Sequence, residues 1–212
     1  MNFSAILFDL DGTLVNSIDL YAKAMREMFG EAGIRLTEEQ FRTSYATGLK
    51  LKDWLVKYGL TEASVDIMRT ARDSRYVELL RQGIEWSPGA EGLLAALKGN
   101  HPLGLVTGSW KSYVDAIDAR LSLKEYFGSI VTGEAMGDFS KPHPHGLLLA
   151  ADLLNVKPEK CIYIGDQLFD IEAAKRAGMK SCCVNGTYTP KEAMENADMA
   201  VQDIGDVLEV IG

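Results

Sequence analysis

The sequence has few cysteines, a deficit of basic charge and no long hydrophobic run, and each shortage excludes a class of protein. The cysteines, Cys161, Cys182 and Cys183, lie in apolar runs without metal-ligand spacing. They therefore favour buried reduced thiols over a zinc site or a disulfide framework. The acidic residues outnumber the basic ones and give a net charge of −8, which argues against nucleic acid or an anionic membrane surface as a partner.

The apolar stretches are too short to cross a membrane, because a spanning helix needs ~18 or more consecutive apolar residues. The first residues, Met1-Asn2-Phe3, lack the basic segment and apolar region of a signal peptide. We therefore expect a cytoplasmic protein. With 212 residues, of which 47% are hydrophobic and 25% charged, the chain can form one α/β domain with an insertion or two modest domains.

The most informative segment of the chain runs from Phe3 to Thr13, with the sequence FSAILFDLDGT. Its apolar run, closed by glycine, predicts a strand buried on both faces of a parallel sheet. Asp9 and Asp11 then follow the carboxyl end of that strand, where open α/β sheets bind ligands. Two such close carboxylates repel each other unless a cation lies between them, and hard oxygen ligands favour Mg²⁺. A turn with two solvated acids is the alternative.

The rest of the chain divides into a helical part and an alternating part. Residues 17–83 show apolar residues at helical spacing throughout, with Thr37 to Gln40 forming a predicted capping box. After residue 84, predicted strands alternate with helices, which indicates a parallel sheet with right-handed crossovers. We therefore expect a core of residues 1–16 and 84–212, interrupted by an insertion of residues 17–83. The predicted strands cover 103–107, 129–132, 161–165 and 180–184, and the predicted helices 92–98, 110–121, 144–154 and 171–177.

Polar residues follow several of these strands, at positions that a parallel sheet would bring to one edge. Each has an ordinary structural interpretation, since a threonine can cap a helix, a lysine can be a solvated loop charge and aspartates are common in turns. Their joint occurrence in this order is much harder to explain in that way. The residues are Asp9 and Asp11, Thr107, Lys141, and Asp166 with Asp170.

This order of motifs resembles the haloacid dehalogenase superfamily of phosphatases, and the resemblance covers essentially the whole chain. Its carriers are the Asp9 to Thr13 motif, Thr107, Lys141 and the Gly165-Asp166 motif with Asp170. The resemblance implies an α/β fold with a Rossmann-like, three-layer α/β/α core and a mobile, all-helical cap domain at residues 17–83. It also implies Mg²⁺ as cofactor and a phosphorylated aspartate as reaction intermediate.

The resemblance further implies a role for each motif residue. Asp9 would attack phosphorus, and Asp11 would act as general acid and then general base. The hydroxyl of Thr107, the amide of Gly108 and the charge of Lys141 would hold the phosphoryl oxygens.

The implied metal ligands are Asp9, Asp11 through its backbone carbonyl, and Asp166. Asp170 would orient Lys141 or the waters of the metal rather than bind the metal itself. Three positions depart from the family pattern, which frequently has an aspartate at Asn16, an asparagine at Gly108 and a small hydroxyl residue at Gln167.

Several alternatives remain open within and outside the family. Asp11 argues against a dehalogenase and against a phosphonate-cleaving enzyme, although Lys50 or Lys52 could supply the lysine that the latter needs. A sugar phosphomutase would carry a histidine where this chain has Tyr21, so hydrolysis is favoured. A non-catalytic binding module and a phosphoaspartate signalling receiver are the alternatives from other classes.

The insertion should select the substrate. Gly48 interrupts the helical pattern, and with Lys50, Arg42 and Tyr45 it forms the set of candidate substrate contacts; a plain helix–helix turn with a solvated lysine is the alternative. The two basic residues suggest a second anionic group on a small phosphorylated metabolite. Phosphoglycolate fits this description, and so do a nucleotide and a sugar phosphate. The oligomeric state stays open between monomer and dimer.

Overall fold

The computed structural model describes residues 3–48, 51–61 and 64–211 and contains a six-stranded parallel sheet. The strand order is β3-β2-β1-β4-β5-β6, which is the doubly wound order of a Rossmann-like sheet. The predicted fold class is therefore confirmed. The strands are β1 (Ala5–Phe8), β2 (Leu103–Val106), β3 (Ser129–Val131), β4 (Cys161–Gly165), β5 (Lys180–Val184) and β6 (Met199–Val201).

The sheet is buried on both faces, as the apolar strands predict. Alternate residues of β1 enter different cores, with Ile6 and Phe8 in one and Ala5 and Leu7 in the other. The first face packs against α5 (Ala90–Leu97), α6 (Lys111–Leu121) and α11 (Val207–Ile211). The second packs against α8 (His145–Leu153) and α9 (Leu168–Ala177). Two shorter helices of the same part of the chain are α7 (Gly133–Met136) and α10 (Lys191–Asn196).

Two predicted helices begin a few residues earlier in the structure. The helix predicted over 92–98 is α5, which begins earlier because Gly89 adopts a left-handed φ of 85° at its N-cap and ends the preceding turn. The helix predicted over 171–177 is α9, which begins at Leu168.

The helical insertion, residues 17–83, contains four α-helices among its described residues. They are α1 (Ile18–Glu31), α2 (Glu38–Ala46), α3 (Leu51–Lys57) and α4 (Val65–Gly83). The capping box of α2 is present, since Thr37 Oγ1 accepts from Gln40 N and Gln40 Oε1 accepts from Thr37 N. The helices enclose an apolar cluster of their own, which includes Phe29, Phe41 and Trp54 and also Tyr188 from the α/β core. The domain boundaries at residues 17 and 83 stay a prediction.

No described helix combines the length and the apolar character needed to cross a membrane.

Gly12 fixes the turn that follows β1. Its φ is +82°, and a Cβ atom at this position would lie 2.9 Å from Asp166 Oδ2. A side chain would therefore be strained by the backbone conformation and would also collide with the carboxylate at the end of β4. The glycine lets the turn after the first strand lie directly against Asp166.

We expect Gly104→Ala to destabilise the sheet by about 1–3 kcal/mol, because the added methyl group has no space. A Cβ atom on this β2 residue would overlap the Leu7 side chain and lie 2.8 Å from Ser129 Oγ. Urea unfolding measures the effect. The matched control is Gly92→Ala in α5, where nothing lies within 4 Å and stability should rise by up to about 1 kcal/mol. Equal stability of the two variants would contradict the packing described for β2.

Candidate active site

The carboxyl ends of β1, β2 and β4 meet at one edge of the sheet and bring the predicted motifs together. Phe8, the last residue of β1, pairs with Leu105 of β2 on one side and with Ile164 of β4 on the other. Asp9 and Asp166 therefore emerge next to each other. This edge is the point where the strand order reverses, which is the usual ligand-binding place in open α/β sheets.

Lys141 forms two buried ion pairs at this edge. Its Nζ atom lies 2.5 Å from Asp9 Oδ1 and 2.6 Å from Asp170 Oδ1, and it also donates a hydrogen bond to the Tyr163 hydroxyl at 2.9 Å. The lysine side chain is only 5% exposed. Because the ammonium is enclosed by two carboxylates and a phenol oxygen, its position is fixed relative to Asp9.

This cluster contains more carboxyl groups than ammonium groups, and their pKa values are shifted accordingly. Burial favours the neutral amine, but Asp170 and Asp9 outweigh it and hold the pKa of Lys141 well above its usual value. Burial raises the pKa of Asp9 well above its usual value, and Asp170, Asp166 and Asp11 raise it further against the opposing effect of Lys141. The cluster therefore carries more negative charge than its one ammonium can neutralise.

Asp166 follows β4, the strand next to β1, and is also buried. It accepts hydrogen bonds from Thr13 Oγ1 at 3.1 Å and from Gln167 Nε2 at 2.5 Å. Burial, followed by the charge of Asp170, raises the pKa of Asp166 to about 7. A further positive charge beside this carboxylate would favour its ionised form.

Three acids at this edge can hold a metal ion. Within the described part of the chain, Asp9, Asp166 and Asp170 offer carboxylate oxygens that lie within 4.8 Å of one another. Their hard oxygen donors, their burial and their excess negative charge all fit a divalent cation such as Mg²⁺. Asp170 already binds Lys141 through Oδ1 and accepts from the backbone of Gln167 through Oδ2; its orienting role stays a prediction.

Within the described residues, Asp11 is held by hydroxyl groups. Its carboxylate accepts from Ser17 Oγ at 2.6 Å, from Ser109 Oγ at 2.7 Å and from Thr107 Oγ1 at 3.1 Å, and Tyr76 Oη lies 3.5 Å away. The Ser17 side chain makes no capping bond at the start of α1 because its hydroxyl is directed to Asp11. The carboxylate therefore connects the sheet edge to the helical insertion.

A cavity of about 300 Å³ opens above these residues. Asp9, Asp11, Gly108 and Lys141 line it from the core. The insertion lines it through Tyr45 and Gly48 and also through further aromatic side chains and one arginine. These further residues are Tyr21, Trp54, Arg72 and Tyr76. The volume suits a small metabolite.

Two of the predicted substrate contacts, Thr107 and Arg42, do not line the cavity, and the structure does not describe a third. Thr107 is fully buried and does not line the cavity, so its hydroxyl must leave Asp11 before it can bind a phosphoryl oxygen. Arg42 lies outside the cavity, because its Nη1 atom donates to Thr187 O at 2.9 Å and its guanidinium lies over the Tyr188 ring. Lys50 falls outside the described residues.

The sequence interpretation gave no active-site role to four residues that the structure places here: Ser17, Ser109, Tyr163 and Arg72. Ser17 and Ser109 bind Asp11, and Tyr163 binds Lys141. Arg72 is only 5% exposed and donates to Asp73 and to the Tyr21 hydroxyl. A signal for it was available, since it takes a position on the apolar side of α4 between Met68 and Tyr76.

We expect Lys141→Met to destabilise the metal-free protein by about 3–5 kcal/mol, because it leaves Asp9 and Asp170 buried without a counter-charge. Urea unfolding in chelator measures the loss. Lys111→Met is the control, because Lys111 forms an exposed pair with Asp115 and should change stability by less than about 0.5 kcal/mol.

The loss in Lys141→Met should shrink as the pH is lowered from 8 to 5. The variant would raise the folded-state pKa of Asp9 further above its unfolded value, so protonation on acidification favours the folded state. A loss that grows on acidification would contradict the burial of this cluster.

Comparison with known proteins identifies the family. The model of the family described as haloacid dehalogenase-like hydrolase matches residues 6–184. Phosphoglycolate phosphatase from Escherichia coli strain K12 is 30% identical over an alignment of 235 positions, which covers 98% of this chain and 92% of that enzyme. The corresponding enzyme from Salmonella typhi is also 30% identical, over 100% of this chain and 93% of that enzyme.

Solved structures agree with this assignment. The crystal structure of CbbY from Rhodobacter sphaeroides in complex with phosphate has a TM-score of 0.86 and 28% identity, and covers 97% of this chain and 96% of that one. A β-phosphoglucomutase from Clostridium difficile has a TM-score of 0.81 and 26% identity, over 99% of this chain and 95% of that one. The resemblance carried by the sequence motifs is thus confirmed, and this chain belongs to the haloacid dehalogenase-like hydrolases.

Proposed function

We propose that this protein is a Mg²⁺-dependent phosphatase that hydrolyses a small phosphorylated metabolite through a phosphoaspartate intermediate. The observation that carries the proposal is the buried Asp9, which lines the cavity and is fixed by Lys141 beside two further acids. The named activity of the 30% identical relatives supports it. Phosphoryl transfer depends mainly on positioning the nucleophile and neutralising the phosphoryl charge, and this arrangement can supply both.

In the first step, a carboxylate oxygen of Asp9 attacks phosphorus and the bond from phosphorus to the leaving oxygen breaks. Asp11 gives its proton to that oxygen, and the alcohol departs. In the second step, water attacks the phosphorus of the phosphoaspartate and returns its proton to Asp11. Inorganic phosphate leaves and Asp9 is regenerated.

Asp9, Asp166 and the backbone carbonyl of Asp11 would hold Mg²⁺ at this edge. When bound, the cation supplies positive charge to the phosphoryl oxygens. Lys141 contributes a second positive charge, and Asp170 with Tyr163 keeps the ammonium at its place. The amide of Gly108, which lines the cavity, would bind a phosphoryl oxygen.

The helical insertion, residues 17–83, acts in this proposal as a cap over the leaving group. Tyr45 of α2 and Gly48, which follows the end of that helix, line the cavity. Arg72 and Lys141 are the two cationic side chains among the described residues that line it. Lys141 is committed to the phosphoryl end, so Arg72 suits a second anionic or strongly polar group on the substrate. Phosphoglycolate, which carries a carboxylate, meets this description.

A sugar phosphomutase is the second candidate, because a β-phosphoglucomutase is among the similar structures. The position where the resemblance predicts a histidine for that activity holds Tyr21, whose hydroxyl accepts a hydrogen bond from Arg72. The three histidines of the chain, His101, His143 and His145, lie outside the insertion. Hydrolysis therefore remains the better-supported activity.

We expect phosphate release from phosphomonoesters with Mg²⁺, and a rate below about one hundredth of this in excess chelator. The panel pairs phosphoglycolate with ethyl phosphate, which lacks the carboxylate, and adds sugar phosphates and nucleotides. Preference for phosphoglycolate over ethyl phosphate would support the role of Arg72. Undiminished rates in chelator would contradict the metal dependence, and an isomerised sugar phosphate without phosphate release would favour the mutase.

We expect Asp9→Asn to lower kcat by more than about 10³-fold, since an amide cannot serve as the nucleophile. The variant should remain folded, because the amide is close to isosteric with the carboxylate and its oxygen can still accept from Lys141. Rapid acid quenching should trap a phosphorylated wild-type protein and no phosphorylated variant. Asp115→Asn, which alters an acid outside the cavity, is the control; a fully active Asp9→Asn protein would exclude the proposed nucleophile.

A further inference from the structure

Gln167 contains a buried acceptor without a donor. The residue is 1% exposed, and its Oε1 atom has no hydrogen-bond partner among the described residues. Its Nε2 atom, in contrast, donates to Asp166 Oδ2 at 2.5 Å and to Tyr188 O at 3.3 Å. Because the Tyr188 carbonyl can only accept, it fixes the orientation of the side-chain amide, and Oε1 must lie on the side away from it.

An unpaired buried acceptor lowers stability, so such a group in a folded protein calls for a partner that arrives from outside the chain. Two facts place this partner at the catalytic edge. Gln167 lines the same cavity as Asp9 and Lys141, and its amide is anchored on Asp166, one of the three clustered acids. Since the oxygen and nitrogen of an amide are about 2.3 Å apart, Oε1 cannot lie more than about 5 Å from Asp166 Oδ2.

An acceptor within that distance of a ligand oxygen can reach a water molecule bound to the same cation. Mg²⁺ binds oxygen at about 2.1 Å and usually keeps several of its waters, and these waters donate hydrogen bonds of about 2.8 Å. We propose that Gln167 Oε1 accepts a hydrogen bond from a water molecule bound to the cation that Asp9 and Asp166 hold. Gln167 is thus a positioning residue for the metal site, and its role rests on the proposed metal dependence.

In this proposal, the two ends of the Gln167 amide group bind different partners. The nitrogen fixes the orientation of Asp166, and the oxygen fixes the orientation of a metal-bound water. The small hydroxyl residue that the family resemblance predicts at this position is too short to do both. A hydroxyl on the substrate is the competing donor for Oε1, and it differs in one measurable respect, because it would leave metal binding in the absence of substrate unchanged.

Divalent cation affinity, measured without substrate, therefore tests the proposal. Calorimetric titration with Mg²⁺ and electron paramagnetic resonance titration with Mn²⁺ give the dissociation constants. We expect Gln167→Met, which preserves side-chain volume, to weaken both by about 10-fold. Gln167→Ser provides a second variant with the same expected loss if the methionine protein does not fold.

Thr13→Val is the matched control. It removes the hydrogen bond donated to the other oxygen of Asp166 and leaves Gln167 Oε1 in place. Its affinity loss should be smaller, about 2–3-fold. Equal losses in Thr13→Val and the Gln167 variants would mean that only the bond to Asp166 matters and would overturn the proposal.

Two further outcomes separate this proposal from the proposed function. Unchanged cation affinity in the Gln167 variants, together with a raised KM for a phosphomonoester, would assign Oε1 to the substrate and overturn this proposal alone. A wild-type protein that releases phosphate but binds neither cation would overturn the metal dependence and this proposal together, while leaving the phosphatase activity standing.

Discussion

The confinement of one ammonium group between two buried carboxylates determines the chemistry of this protein. Lys141 fixes Asp9 and is fixed in turn by Asp170 and Tyr163. Removing these charges from water costs free energy. Their mutual attraction recovers that free energy only while every partner stays in place. Asp166 adds a third carboxylate that Lys141 does not contact, so the site has an excess of negative charge suited to a divalent cation.

The doubly wound sheet provides the rigidity that this balance needs. Asp9 and Asp166 follow neighbouring parallel strands whose registers are fixed by burial on both faces, so neither acid can retreat from the other. Gly12 allows the first turn to lie against Asp166. The helical insertion contributes further side chains to the cavity, and the hydroxyl of its Ser17 binds Asp11 of the core.

The sequence alone could predict the residues whose positions depend on the strand order. Asp9, Asp166 and the sheet around them follow from apolar runs and their polar ends. It could not predict contacts that depend on packing between distant segments: Arg42 is drawn to Tyr188 and away from the cavity, and Thr107 turns its hydroxyl to Asp11. The position of Arg72 on the apolar side of α4 was a signal in the sequence, but its partners Tyr21 and Asp73 are apparent only in the structure.

Tyr188 has a consequence for the unfolding of the molecule. Its ring packs in the apolar cluster of the insertion against Phe41, its hydroxyl donates to Asp19 of α1, and its carbonyl accepts from Gln167 beside Asp166. A single residue of the α/β core thus completes the interior of the helical segment. The insertion and the sheet therefore share part of their folding free energy, and heat or denaturant should melt them in one cooperative transition rather than as two independent units.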